Sequence, residues 1–299
     1  MIVRDHPNSS PIGLTKKPNE YCAEPITNVF AKKMAATIHQ PRLSDLMIRV
    51  GLFRFTMRCY IKTYSKDYSK DYVKTYTGVY NKTYTKIWAK EYGGECISIP
   101  ADLSNLEGIS ALANELSSKE KSLDILVNNA GASWGEPIED YSELGWDKVM
   151  DTNVKGIFFL TQQLLPLLRE SRTADNTSRV INIGSIDGIK TGTFDAFSYG
   201  PSKAAVHHLT RVLAARLIKD HIIVNAIAPG PFPTWMLSTG VGGGGDTDID
   251  WSAVGQSNPS GRVGDAEDIA GLAIFLSSRA GAYTVGQTIA CDGGAVASS

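Results

Sequence analysis

The sequence predicts an α/β domain built on a doubly wound, mostly parallel sheet, and two observations carry that expectation. Four short apolar runs each stop at a turn signal: Leu123 to Val127 before Asn128-Asn129-Ala130-Gly131, Ser178 to Ile183 before Gly184-Ser185, His221 to Ala228 before Pro229-Gly230, and Gln287 to Cys291 before Asp292-Gly293-Gly294. Apolar runs of this length, closed by glycine, proline or polar turns, read as buried strands. Segments of helical period separate them, the alternation that a parallel sheet with crossover helices produces.

Each element has its own local reason. The run ending at Val127 delivers a polar turn to a strand end, which is where ligands bind in open α/β sheets. Trp146 to Leu168 reads as a helix and contains the polar Asn153. The next strand delivers Ser185. The helix that follows carries Val206, Leu209, Leu213 and Leu217 at spacings of three and four, an apolar stripe expected to face the sheet.

That same helix carries Tyr199 and Lys203, four residues apart in Tyr-Gly-Pro-Ser-Lys and therefore on one face. A phenol of ordinary pKa, about 10, is a poor proton donor or acceptor near neutrality, and a neighbouring ammonium is expected to lower it. Ser185, fourteen positions upstream at a different strand end, is placed to hold a substrate oxygen within reach of the phenol. A Tyr-x-x-x-Lys spacing alone describes any ordinary helical pair; the strand-end context is what gives it chemistry.

Composition bounds the rest. A chain of 299 residues with 42% hydrophobic content has enough apolar material for one large α/β core. A formal net charge of −1 argues against a polyanion as global partner. No apolar run approaches the roughly 18 residues of a membrane span, and the N-terminus lacks the apolar core of a secretory signal, so a cytoplasmic location is expected. Residues 1–42, with Pro7, Pro11, Pro18, Pro25 and Pro41 among polar neighbours, read as a disordered extension. Cys22, Cys59, Cys96 and Cys291 show no paired spacing, as in a reducing compartment, and no metal site is expected. His207 and His208 fall inside a helix and read as structural residues.

From about Tyr92 to the C-terminus the chain resembles the short-chain dehydrogenase/reductase family. The resemblance rests on Ala101-Asp102-Leu103, Asn128-Asn129-Ala130-Gly131, Asn153, Ser185, Tyr199 with Lys203, Pro229-Gly230 and Asp292-Gly293-Gly294, in that order. More narrowly, residues 128–135, 163–169, 199–205 and 228–233 are similar to the 3-oxoacyl-ACP reductase branch associated with rhamnolipid synthesis. The resemblance implies a Rossmann-like fold. It implies that Tyr199 is the general acid for a carbonyl reduced by a nicotinamide, that Lys203 lowers the Tyr199 pKa and holds the ribose, and that Ser185 orients the carbonyl. Asn153 would sit at a helix kink and hold a water that relays protons to Lys203. Asp102, Asn129, Ala130, Gly131, Gly230 and Phe232 would line the cofactor, with NADP expected from the narrower similarity and NAD open. Singly, Asn129 also reads as a turn residue, Asp102 as a helix cap and Asn153 as a polar helix position.

One expected feature is absent. Family members open with a strand, a turn of the form Thr-Gly-x-x-x-Gly-x-Gly and a helix aimed at the pyrophosphate. Before Gly131 the glycines are Gly13, Gly51, Gly78, Gly93, Gly94 and Gly108, and no three fit that spacing. A Gly-x-Gly-x-x-Gly pattern at Gly240 to Gly245 follows no apolar strand and runs into Asp246, Asp248 and Asp250; it reads as part of a substrate lid.

Residues 43–92, bounded roughly as a break over 47–87, instead hold a repeat: Tyr60, Tyr64, Tyr68, Tyr72, Tyr76, Tyr80, Tyr84, Trp88 and Tyr92. A period of four drifts about 40° per repeat around a helix, so it makes no stripe. As a strand it would put the aromatic residues and most lysines on one face, which is no core face either. Lys62, Lys66, Lys70, Lys74, Lys82, Lys86 and Lys90 outnumber Asp67 and Asp71. The segment reads as low-complexity sequence, from repeat expansion or from non-coding sequence read into the frame. Stacking on single-stranded nucleic acid is the weaker functional alternative.

The expected organisation is thus an extension at 1–42, a degenerate segment at 43–92 in place of the first strand-helix-strand portion, and a catalytic domain at 93–299. The expected function is an NAD(P)H-dependent carbonyl reductase acting on a 3-oxoacyl thioester or another small hydrophobic carbonyl compound, as a homo-oligomer. Phe232, Trp235, Met236 and Leu237 with Trp134 would form an apolar lid. The alternative is a catalytically dead or binding-only relative that lacks the phosphate-binding turn.

Overall fold

The structure is a computed structural model, and it describes residues 58–61, 95–192, 194–238 and 249–299. The extension at 1–42, nearly all of the aromatic repeat and the glycine run at 240–245 lie outside the described residues.

Four parallel strands form the central sheet in the order β3 (Ile125–Asn128), β4 (Ser178–Ile183), β5 (Ile222–Pro229) and β6 (Thr288–Cys291). Val180 stands between Leu126 and Val224 in register, and Ile227 pairs with Ile289. The pleat sorts the side chains onto two faces. Leu126, Val180, Ile222 and Val224 join one core with Ile109 and Leu116 of α1 (Leu106–Lys119), Leu160 of α3 (Gly156–Gln163) and Ala214 and Leu217 of α5 (Tyr199–Leu217). Ile181, Ile183 and Ile227 point the other way and pack on Ile269, Ala273 and Leu276 of α8 (Ala266–Ser277). Helices on both faces of a parallel sheet are the expected doubly wound arrangement. Each fully buried Leu or Ile contributes about 2 kcal/mol.

Upstream, β1 (Arg58–Ile61) pairs in parallel with β2 (Glu95–Ser98), Cys59 opposite Cys96, and this two-stranded sheet is separate from the four-stranded one. The break falls where the sequence lacks its opening strand and glycine turn.

The long helix expected over 146–168 is divided. It begins as α2 (Glu143–Met150), capped by the Ser142 hydroxyl on the Gly145 N–H, and widens to a π-helical turn over Asp151–Lys155. It then resumes as α3 and ends before α4 (Leu165–Arg169), where Pro166 has no N–H to continue the ladder. Two short helices, α6 (Trp235–Ser238) and α7 (Trp251–Gln256), lie between β5 and α8.

The inner face of α5 also differs from the expected stripe. Leu209 and Leu213 are only half-buried, and the buried positions are Ser202, Lys203, Val206, His207, Thr210, Ala214 and Leu217. Polar residues are tolerated there because partners meet them. Asn182 on β4 donates to Thr210 Oγ1 at 2.9 Å and accepts from the Asn128 amide at 2.9 Å, while Asn128 also donates to Thr161 Oγ1 at 3.2 Å. The Thr210 hydroxyl donates to the Val206 carbonyl at 2.8 Å.

This chain of amides and hydroxyls crosses from α3 through the sheet face to α5 with every member buried. Replacing Asn182 with alanine removes its middle link and leaves a hole, so the expected loss of stability is about 2 kcal/mol. Urea unfolding measures it, and a change below about 0.5 kcal/mol would show that the chain is not structural.

Candidate active site

Ser185 follows β4 directly, and its hydroxyl accepts the Asp187 N–H at 3.1 Å, which starts a short 3-10 turn over Ile186–Gly188. Tyr199 opens α5, and Lys203 lies one turn further on with 4% of its surface exposed. The Lys203 ammonium donates to the carbonyl of Ile183, the last residue of β4, at 2.9 Å and stands 5.5 Å from the centre of the Tyr199 ring. The Ser185 hydroxyl hydrogen-bonds the Tyr199 phenol. The three residues that the sequence singles out are therefore brought together at the C-terminal end of one strand.

Asn153 joins them through the π-helical turn. Its carbonyl oxygen accepts the Ala132 N–H at 2.7 Å, and its amide donates to the Ala132 carbonyl at 3.0 Å and to Ser202 Oγ at 2.9 Å. The expected helix kink is this single wide turn, a form often found at functional sites. The amide ties the turn after β3 to α5.

The electrostatics correct one expectation. Burial pushes the Tyr199 phenol up to about 12; the Ser185 hydrogen bond works against that rise and the Asp187 charge adds to it. The phenol does not fall below its ordinary value beside Lys203, because its own burial prevails, and burial separately lowers the ammonium to about 8. Desolvation of both groups outweighs their attraction. Asp187 is itself held above the usual carboxylate range by burial, against the opposing pull of Lys190. At neutral pH the phenol keeps its proton and the ammonium its charge.

The residues expected to line a dinucleotide divide into two groups. Gly131 lies against the catalytic candidates: a Cβ there would stand 3.4 Å from Asn153 Oδ1 and 3.5 Å from Lys203 Nζ. Asn129 turns its N–H back to the Val127 carbonyl at 3.2 Å, and Ala130 packs on the first core. Gly230 is a close-approach glycine, since a Cβ would come within 2.8 Å of the Asp292 backbone. The Asp102 carboxylate accepts from the Ser104 N–H and hydroxyl and from the Asn105 amide; it is not the cap of α1, a role Asn105 takes by accepting the Gly108 N–H.

The arrangement fits the nicotinamide and ribose end of such a cofactor. Among the described residues no glycine turn answers the pyrophosphate.

The lid reading needs revision. Phe232 is 5% exposed and belongs to the second core, its ring filling the space over Gly264. Trp134 packs on Gly145 of α2, with the Lys148 ammonium 4.8 Å from the ring centre. Met236 and Leu237 are half-buried. A cavity of about 320 Å³ near the end of β6 touches Phe232, Arg262, Asp268 and Cys291 and none of the catalytic candidates. Its Arg262 is spent on Asp268 at 2.6 Å.

Sequence reasoning missed Tyr141. Its phenol donates to the Trp134 carbonyl at 3.1 Å, meets Ser198 Oγ at 2.6 Å and accepts the Ser198 N–H at 3.3 Å. It thereby caps the N-terminus of α5 immediately before Tyr199. Nothing local marks a partner 57 residues away. The Glu136 N–H on the Asp195 carbonyl at 3.2 Å is a second tie between the same two loops.

A protein with this sheet, with Ser, Tyr and Lys meeting at a strand end and an Asn in a wide helical turn, is an oxidoreductase of the α/β class. The chain belongs to the short-chain dehydrogenase/reductase family: residues 71–296 match the family profile described as Enoyl-(Acyl carrier protein) reductase. It is 49% identical over 201 residues to the rhamnolipids biosynthesis 3-oxoacyl-[acyl-carrier-protein] reductase of Pseudomonas aeruginosa, covering 67% of this chain and 77% of the relative. It is 37% identical over 203 residues to the 2-dehydro-3-deoxy-D-gluconate 5-dehydrogenase of Dickeya dadantii, covering 68% of this chain and 77% of the relative. Among solved structures, the RhlG/NADP active-site complex of Pseudomonas aeruginosa matches with a TM-score of 0.66 at 46% identity, over 73% of this chain and 84% of that one. In the described part, no helix is long and apolar enough to cross a membrane, and no cluster of His, Cys, Asp and Glu has the grouping of a metal site.

Replacing Tyr141 with phenylalanine keeps the edge-to-face contact with Phe197, 5.5 Å between ring centres, and removes the hydrogen bonds to Trp134 and Ser198. The expected cost is about 1 to 2 kcal/mol in urea unfolding. An unchanged midpoint would show that the cap carries no stability.

Proposed function

We propose that the protein is an NADPH-dependent reductase of 3-oxoacyl thioesters. The observation that carries the proposal is the meeting of Ser185, Tyr199 and Lys203 at the end of β4 in a chain 49% identical to a 3-oxoacyl-[acyl-carrier-protein] reductase. The similarity to a sugar-acid dehydrogenase gives the second reading of the substrate, a hydroxylated acid.

The proposed chemistry follows from the geometry. Bound NADPH supplies the hydride that reduces the carbonyl carbon. The Ser185 hydroxyl holds the carbonyl oxygen beside the Tyr199 phenol, which gives up its proton as negative charge develops on that oxygen. Lys203, charged and close to the ring, stabilises the phenolate left behind and would hold the ribose hydroxyls. Asn153 holds the turn at Ala132 and, through Ser202, the first turn of α5, so the proton donor keeps its place. The Gly131 backbone, with Asn129 and Ala130, would line the nucleotide, as would the backbone at Gly230 and Phe232, and Asp102 would approach the adenine. Exposed Trp146 on α2 and Val212 on α5 support self-association, and four cysteines without paired spacing in the sequence support a cytoplasmic setting.

The binding-only alternative rests on the sequence, in which no three glycines before Gly131 fit the family's phosphate turn. Titrating the purified full chain with NADPH and following nicotinamide fluorescence separates the two. Binding in the micromolar range with oxidation of NADPH by acetoacetyl thioester supports the reductase; no binding at millimolar NADPH sinks it.

Tyr199→Phe is expected to lower kcat by at least about 100-fold while NADPH still binds. The reduction rate is expected to fall as pH rises through about 8, where Lys203 loses its charge while the phenol, at about 12, remains protonated. A kcat that stays flat to pH 10 would contradict this assignment.

A further inference from the structure

We infer that His207 is a positioning residue that clasps the loop carrying Ser185 to the helix carrying Tyr199 and Lys203. The inference rests on the reductase reading above, and it assigns a role to a side chain that the proposed proton transfer does not use.

His207 lies one turn beyond Lys203 on the inner face of α5 and is 5% exposed. Its ring occupies a notch made by two glycines. A Cβ at Gly184 would run into Nε2, and a Cβ at Gly188 would come within 2.8 Å of Cε1. These glycines bracket Ser185 and Asp187. Nε2 accepts the Ser185 N–H at 3.5 Å, and the Gly188 backbone, against which the ring packs, acts to raise the ring's basicity, as a carbonyl facing a ring N–H does. The two contacts fix one tautomer, with the proton on Nδ1 and the lone pair on Nε2.

That tautomer requires a neutral ring, since a proton on Nε2 would face the Ser185 N–H. Burial, with the Lys203 and Arg211 charges, lowers the ring to about 4 against the pull of Gly188, so it is neutral at any ordinary working pH. The clasp is therefore permanent rather than switched. It reaches the chemistry through a short chain: ring to Ser185 N–H, Ser185 hydroxyl to Tyr199 phenol. An aliphatic side chain of similar size would fill the notch and leave the Ser185 N–H and the Gly188 carbonyl unpaired. Filling and clasping are thus separable by substitution.

The test uses the full chain with NADPH and acetoacetyl thioester, comparing His207→Leu, which fills the notch without hydrogen bonds, with His207→Gln, whose amide accepts where Nε2 does and can donate to Gly188. The leucine variant is expected to lose about tenfold or more in kcat, the cost of a slightly misplaced catalytic group, with KM for NADPH unchanged. The glutamine variant is expected to recover to within about threefold of the parent. Amide hydrogen exchange at Ser185, read by NMR, is expected to speed up in the leucine variant and not in the glutamine variant. A leucine variant with parental kcat and parental exchange overturns the inference, as does a glutamine variant no better than leucine in both. If the parent reduces no thioester, the reductase reading fails while the exchange comparison still decides the clasp. Should the leucine variant not fold, His207→Met takes its place with the same expected outcomes.

Discussion

Burying an ammonium at the end of a parallel sheet is the constraint on which the described site depends. Lys203 has almost no contact with solvent, and its recorded hydrogen bond goes to one carbonyl, that of Ile183. An ion so placed costs several kcal/mol unless dipoles compensate for the water it has lost. The end of β4 supplies such a dipole in the Ile183 carbonyl, which accepts from the ammonium at 2.9 Å. The same strand end then presents Ser185. The binding of Lys203 and the placement of the serine are one structural event.

Around that event the sheet and helices are joined by polar rather than apolar contacts. Asn153 links the turn after β3 to α5, Tyr141 caps α5 from the loop ahead of α2, and Asn128, Asn182, Thr161 and Thr210 form the buried chain below. Buried hydrogen bonds add little net stability when satisfied and cost much when broken. They therefore fix geometry more than they add stability, which suits a site where a proton must travel between two fixed oxygens. The apolar cores on either face of the sheet carry the folding energy. The polar layer near the strand ends sets where the catalytic atoms stand.

The fold was largely legible from strand signals. Runs that end at Val127, Ile183, Ala228 and Cys291 are short, apolar and closed by turns, and each became a strand of the parallel sheet. The helices were less legible. Of the stripe Val206, Leu209, Leu213 and Leu217, the first and last are buried and the middle two half-buried, because the inner face of α5 also meets amides on the sheet and is shared with Ser202, His207 and Thr210. The division of the helix around Asn153 and Pro166 was visible at the proline and invisible at the π-helical turn, which has no residue type of its own.

By itself the sequence determined a parallel sheet and the grouping of Ser185, Tyr199 and Lys203 near one strand end, since these follow from local spacing and from the rule that parallel strands end on a common side; the order of the strands came from the tertiary structure. The sequence also determined that the glycine turn for a pyrophosphate is missing from its usual place. Only the tertiary structure decided the protonation of the site. Whether Lys203 lowers the Tyr199 pKa depends on how much water each group loses, and that loss is set by the whole packing around them, so a motif that promised an acidic phenol gave one pushed up to about 12. Tertiary structure likewise decided that Phe232 belongs to a core and not to a lid, and that Tyr141 and His207 stand against loops far from them in sequence, because burial and long-range hydrogen bonds have no signature in local spacing.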